Sequence, residues 1–122
     1  MKTVMEKETN NKQYNLSELK KMSGNNQEFI NKMIITFIQN SEELIKDFDK
    51  YLPHQQWKKI GESAHKVLPS YRHLEIEHIV DILTRIKIKT LVNKDHDEVP
   101  ELVNSARGKI EELLPQLRNE IE

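Results

Sequence analysis

No cysteine occurs in the sequence, and it has only three glycines and four prolines. The first absence excludes disulfides and thiolate metal sites. The second leaves little material for hairpins, and no stretch alternates apolar with polar residues long enough to suggest a sheet. Long apolar runs are missing as well, so neither a membrane span nor a signal-peptide core can be picked out. Nor is there an excess of charge: the formal net charge is −1, which provides no global basic footprint for nucleic acid. What is present is 36% hydrophobic and 32% charged residues in a chain of 122. That composition suits one helical domain with a single core and wetted outer faces. The expectation is a soluble, cytoplasmic protein that makes no membrane contact.

Residues 1–13 are polar and unpatterned and read as a flexible leader or linker. The patterned domain spans 14–119, and 120–122 form a short tail. Asn15 and Glu18 make an Asn-x-x-Glu capping box that opens a short helix, which Gly24 stops. Asn25 or Asn26 then caps the longest pattern in the chain. There Ile30, Ile34, Phe37, Ser41, Leu44, Phe48 and Tyr51 step by four and three, with Ile38, Ile45 and Leu52 as a second row. Pro53 ends it. A further helix follows almost at once, then Ile76, Ile79, Val80, Leu83 and Ile86 at helical spacing. Ile86-Lys87-Ile88-Lys89 alternates like a strand, but four residues do not outweigh the preceding period. Residues 93–97 are the evident loop, holding His96, which with His54 is expected to be solvated. Asp97 or a neighbour caps the last helix, with Pro100 in its first turn and Val99, Val103, Ala106, Ile110, Leu113 and Leu117 facing inward. Pro115 threatens its final turn with a kink. The pattern predicts an all-α fold, an antiparallel up-down-up-down four-helix bundle with a short extra N-terminal helix.

One stretch stands apart. Wound at about 100° per residue, Trp57, Ile60, Ala64, Leu68 and Tyr71 form one apolar stripe. His65 falls beside that stripe, about 60° round from Leu68. Gly61 and Pro69 share its sector, with Lys58 and Arg72 two turns away. Glycine inside a helix costs about 1 kcal/mol against alanine, so Gly61 predicts that something approaches closely there. Pro69 offers no N–H to the carbonyl of His65, which predicts a bend. The plainest reading of this geometry alone is a half-buried structural histidine.

The segment from Glu62 to Leu74, with the helical patterns around it, resembles a histidine phosphotransfer (Hpt) domain of the multistep two-component phosphorelays. Those domains are four-helix bundles with one exposed reactive histidine on the second bundle helix, in a pattern Ala-His-x-Leu-Lys-Gly-Ser. Ala64-His65 matches, and Ser70 matches five residues beyond the histidine. Leu68 replaces the usual lysine and Pro69 the usual glycine, while a lysine follows the histidine directly at Lys66. The likeness covers residues 14–118 and is to a divergent Ala-His-Lys-x-Leu-Pro-Ser form. The resemblance implies that His65 is the phosphoacceptor, carrying a phosphoryl group between aspartates of response-regulator receiver domains, including those of a hybrid sensor kinase. Arg72, Lys66 and Lys58 would stabilise the anionic phosphoimidazole. Gly61 would let a receiver helix or loop come near, with Glu62, Pro69 and Ser70 completing the surroundings. The family is commonly monomeric and brings no cofactor of its own, the Mg²⁺ belonging to the receiver. It accepts and donates phosphoryl without autonomous catalysis.

Two other classes compete. Glu62-Ser63-Ala64-His65 and Glu75-Ile76-Glu77-His78 are both Glu-x-x-His, the spacing from which ferritin-like bundles build a di-metal carboxylate site. Direction argues against it, since Glu62 points still farther from the apolar stripe than His65. The second rival is a helical adaptor that docks receivers without transferring anything; the Leu68 and Pro69 departures favour it. His73 lies at a turn where it would rim the His65 surface, and His78 reads as a partly exposed packing residue. Trp57, Phe37 and Phe48 fit a bundle core.

Overall fold

The computed structural model describes residues 13–121. The expected leader therefore lies outside the described residues except for Gln13, and Glu122 of the tail is likewise outside. The described chain is all-helical: α1 (Ser17–Ser23), α2 (Gln27–Tyr51), α3 (Trp57–His73), α4 (Glu77–Lys87), a π-helical turn at Ile88–Val92, and α5 (Val99–Arg118). No strand forms among the described residues.

The helix ends follow from local chemistry, with one departure. Gly24 and Asn25 both take left-handed backbone, φ 63° and 65°, which stops α1. Asn26 then caps α2, its side chain accepting from the Phe29 N–H at 3.1 Å. The capping box at α1 does not close as expected. Asn15 Oδ1 does accept from the Ser17 N–H at 2.8 Å, but Glu18 turns away to His73, Oε1 to Nδ1 3.2 Å. The helix begins at Ser17 with Leu16 at its cap, so Asn15 and Glu18 do not hold the positions a capping box needs. Neither internal proline interrupts its helix: α3 runs through Pro69 to His73 and α5 through Pro115 to Arg118.

The seam of α2 is buried from Ile30 to Phe48, with Tyr51 half-buried at its end. Ile60, Ala64, Val67, Leu68 and Tyr71 of α3, Ile79, Leu83 and Ile86 of α4, and seven residues of α5, the six expected ones and Leu114, complete one core. Helix α3 packs against α2 and α4, and α5 against α2 and α4, which closes the ring; α1 lies on α2. At the centre, the one polar residue of the α2 seam has a partner. Ser41 Oγ and Tyr71 Oη share a fully buried hydrogen bond of 2.6 Å, and Phe37 packs on the same tyrosine ring at 4.6 Å. Burial pushes the Tyr71 hydroxyl well above its ordinary value, with the Ser41 bond opposing. Tyr14 Oη meets Glu120 at 2.5 Å, tying the start of the domain to its end.

Two features depart from the sequence reading. The helix of α4 neither stops nor becomes strand-like at Ile88 but widens into a π turn. Thr90 is buried at 4% exposure, its hydroxyl donating to the Ile86 carbonyl at 2.7 Å. His96, expected in solvent, is half-buried and stacks on Trp57 with ring centroids 4.9 Å apart. The loop is drawn inward because Lys89 pairs with both Asp95 and Glu98, at 3.6 and 3.3 Å, and the Asp95 N–H donates to the Lys89 carbonyl.

Candidate functional site

The buried residues of α3 fix which way its remaining side chains point. With Ile60, Ala64, Leu68 and Tyr71 inside, Glu62, His65, Lys66, Pro69 and Arg72 are exposed on the outer face, and Lys58 is exposed two turns earlier. Ser63 and Ser70 are half-buried toward α2. Among the described residues no hydrogen bond or ion pair engages the side chains of His65, Lys58, Lys66 or Arg72. An exposed imidazole without a hydrogen-bond or ion-pair partner contributes little to folding.

The cations flank the histidine rather than gather on one side. Lys66 lines a narrow groove of about 90 Å³ between α2 and α3, with Asn40, Glu43, Asp47, Ser63 and Ser70. In that groove Ser63 Oγ donates to Asp47 Oδ2 at 3.0 Å. Arg72 borders a different, open groove toward α4, lined by Glu75, Glu77 and Asp81. Arg72 and Lys66 are thus both within the acidic fringe of a neighbouring helix, and both remain unpaired. Leu68, three residues beyond His65, is 1% exposed. That direction is filled by core, so positive charge near His65 has to come from Lys66, Arg72 or Lys58.

Gly61 corrects the sequence reading. A close approach does occur there, but from within the bundle: a Cβ at residue 61 would sit 2.0 Å from Thr90 Oγ1 and 2.8 Å from Leu91 Cγ. The missing side chain admits the π turn against α3. Gly61 is buried and offers no surface to a partner. His73 does not rim the His65 surface in any direct contact; it pairs with Glu18 of α1.

For the two Glu-x-x-His segments, Glu62, His65 and Glu75 are exposed and only His78 is half-buried. Among the described residues no three histidine, aspartate or glutamate side chains come together as a metal set. His78 sits near Lys109 and Glu112, and its pKa lies below the ordinary imidazole value, chiefly from burial and secondarily from Lys109, with Glu112 opposing.

Sequence reasoning missed the Ser63–Asp47 contact, because it joins helices whose relative rotation is set by packing. It also missed an apolar hollow at the far end of α3, bounded by α1 and α2. The exposed Met22 and Met33 were its only available signal, each being an apolar residue off its helix's inward stripe. Comparison with protein-family models, curated proteins and solved structures gives no match.

Proposed function

We propose that this chain is an Hpt-type carrier, an antiparallel up-down-up-down bundle that relays phosphoryl groups between receiver domains through His65. The observation that carries the reading is a solvent-facing histidine with no partner, set on a helix whose opposite face is fully packed, with three unpaired cations on its outer side. A histidine kept for structure would be buried or hydrogen-bonded, whereas His65 is exposed and has no such partner among the described residues.

In the forward step a ring nitrogen lone pair of His65 attacks the phosphorus of an aspartyl phosphate on the receiver. The bond from phosphorus to the carboxylate oxygen breaks, and its electrons return to the aspartate. The other ring nitrogen releases its proton to water, leaving a neutral ring bearing an anionic phosphoryl group. Lys66 and Arg72 approach that anion from opposite flanks, and Lys58 from the preceding turns, without having to break an ion pair first. Transfer onward reverses these steps on a second receiver. The Mg²⁺ that assists them belongs to the receiver. With Gly61 inside the bundle, the receiver meets the outer face of α3 and the groove that Lys66 lines.

Presenting a phosphorylated receiver to wild type and to His65→Gln tests this. The variant should lose all acceptance while melting within about 1 °C of wild type, because an exposed, unpaired side chain adds little stability. A variant that still accepts label, or one that unfolds, overturns the reading. The second reading, a docking module without transfer, is favoured by Leu68 and Pro69 standing where the family has lysine and glycine. It predicts receiver binding by wild type with no label at any time.

A further inference from the structure

The hollow between α1, α2 and the end of α3 has a volume of about 140 Å³. Its walls are Leu19, Ile34, Phe37 and Leu74, all at least nine-tenths buried and contributed by three separate segments of the bundle. Its size is set by helices already fixed by the core, so it exists before anything enters it. A cavity of about 150 Å³ with walls of this kind holds one benzene ring. Met22 and Met33, 59% and 39% exposed, line it on the solvent side. Methionine side chains adjust to an occupant, and their sulfurs favour aromatic edges. Phe37 gives the interior an aromatic wall whose ring is already held by Tyr71 at 4.6 Å. Four of the lining residues are polar, Thr36, Asn40, Ser70 and His73; Asn40 and Ser70, on α2 and α3, supply both donors and acceptors.

We propose that this hollow is a binding site for a small single-ring aromatic molecule carrying one hydrogen-bonding substituent. The ring lies among Leu19, Ile34, Phe37 and Leu74, the methionines close over it, and the substituent meets Asn40 and Ser70. A largely apolar pocket with a few convergent polar groups is the arrangement that small-molecule sites share. The inference does not depend on phosphoryl transfer, although Asn40 and Ser70 also line the groove beside Lys66.

The test uses p-cresol as probe and toluene as its comparator lacking the hydroxyl, followed by amide chemical shifts of the full chain. Wild type should show saturable shifts confined to the lining residues, half-complete by about 1 mM p-cresol. Toluene should bind roughly fivefold more weakly, as the loss of one hydrogen bond implies. Asn40→Leu, a change at an exposed position, should erase the preference for p-cresol while leaving toluene bound. Absent shifts, or shifts spread over Ile88 and Val92 instead, would overturn the site. An unchanged preference in Asn40→Leu would overturn the assignment of the polar contact.

Discussion

Replacing Gly61 with alanine sets two opposing effects against each other. Alanine in a helix interior is favoured over glycine by about 1 kcal/mol, so on an isolated helix the change would stabilise. In the folded chain the new methyl would lie 2.0 Å from Thr90 Oγ1 and 2.8–2.9 Å from Leu91 Cγ and Cδ2. Such distances cannot stand, and relief is not cheap. Thr90 is buried and its hydroxyl is bound to Ile86, so turning it away forfeits a hydrogen bond worth about 0.5–1.5 kcal/mol. Leu91 would have to move at its branch point, not at a free end. Overpacking of this kind costs about 1–3 kcal/mol, and more when backbone must shift. Overpacking therefore wins: we expect a net loss of about 1–2 kcal/mol, or roughly 4–8 °C in Tm for a domain of this size. Urea unfolding gives the number directly, with the slope unchanged. Adding Thr90→Ala to Gly61→Ala should recover part of the loss, since it removes the nearest atom. Gly61→Ala melting at or above wild type would refute the reasoning and return Gly61 to the surface.

Further outcomes are expected. Ser41→Ala strands the buried Tyr71 hydroxyl and should cost about 1–3 kcal/mol, whereas Ser41→Ala with Tyr71→Phe should cost less than the two single changes added; strict additivity in chemical denaturation would show that the bond contributes nothing. His78 has its folded pKa depressed below the ordinary value near 6.5, so the unfolded chain takes up the proton first as pH falls. Stability should therefore decline as pH drops through about 6.5 and level off below the folded value, and His78→Gln should flatten that decline; an unchanged slope in Tm between pH 7 and 5 would assign it to other groups. Arg72→Ala and Lys66→Ala should each shorten the lifetime of phospho-His65 several-fold, in keeping with exposed charge-assisted contacts. Lys94→Ala, in the loop, should leave it unchanged, and equal lifetimes in all three would remove both cations from the site.

Whether a feature could be read from the sequence depended on how far its cause lay along the chain. The α2 seam and the inward residues of α5 were legible because one helical period decides them, and all the residues that period selected are buried except Tyr51, which is half-buried. The same arithmetic put His65 at the edge of the α3 stripe, where geometry alone favoured a half-buried histidine; the structure instead exposes it. Gly61 carried a true signal with its object missing: the glycine announced a close approach, but only packing could say that Thr90 and Leu91 fill it. The π turn was hidden for the same reason, since the Ile86–Lys89 alternation reflects its surroundings and not a strand. His96 was assigned to solvent because its partner, Trp57, and the Lys89 pairs that draw the loop inward are not local. Pro69 and Pro115 lie within continuous helices, each held by packing on both sides despite its missing hydrogen bond.

The central claim is that His65 carries phosphoryl. It is tested most directly by incubating the full chain with a receiver domain bearing labelled aspartyl phosphate, then digesting the product and locating the label. The account predicts label on the peptide containing His65, lost in acid and retained in base, and absent from His65→Gln. Label that survives acid, label on any other residue, or no label on a chain that binds the receiver would contradict it.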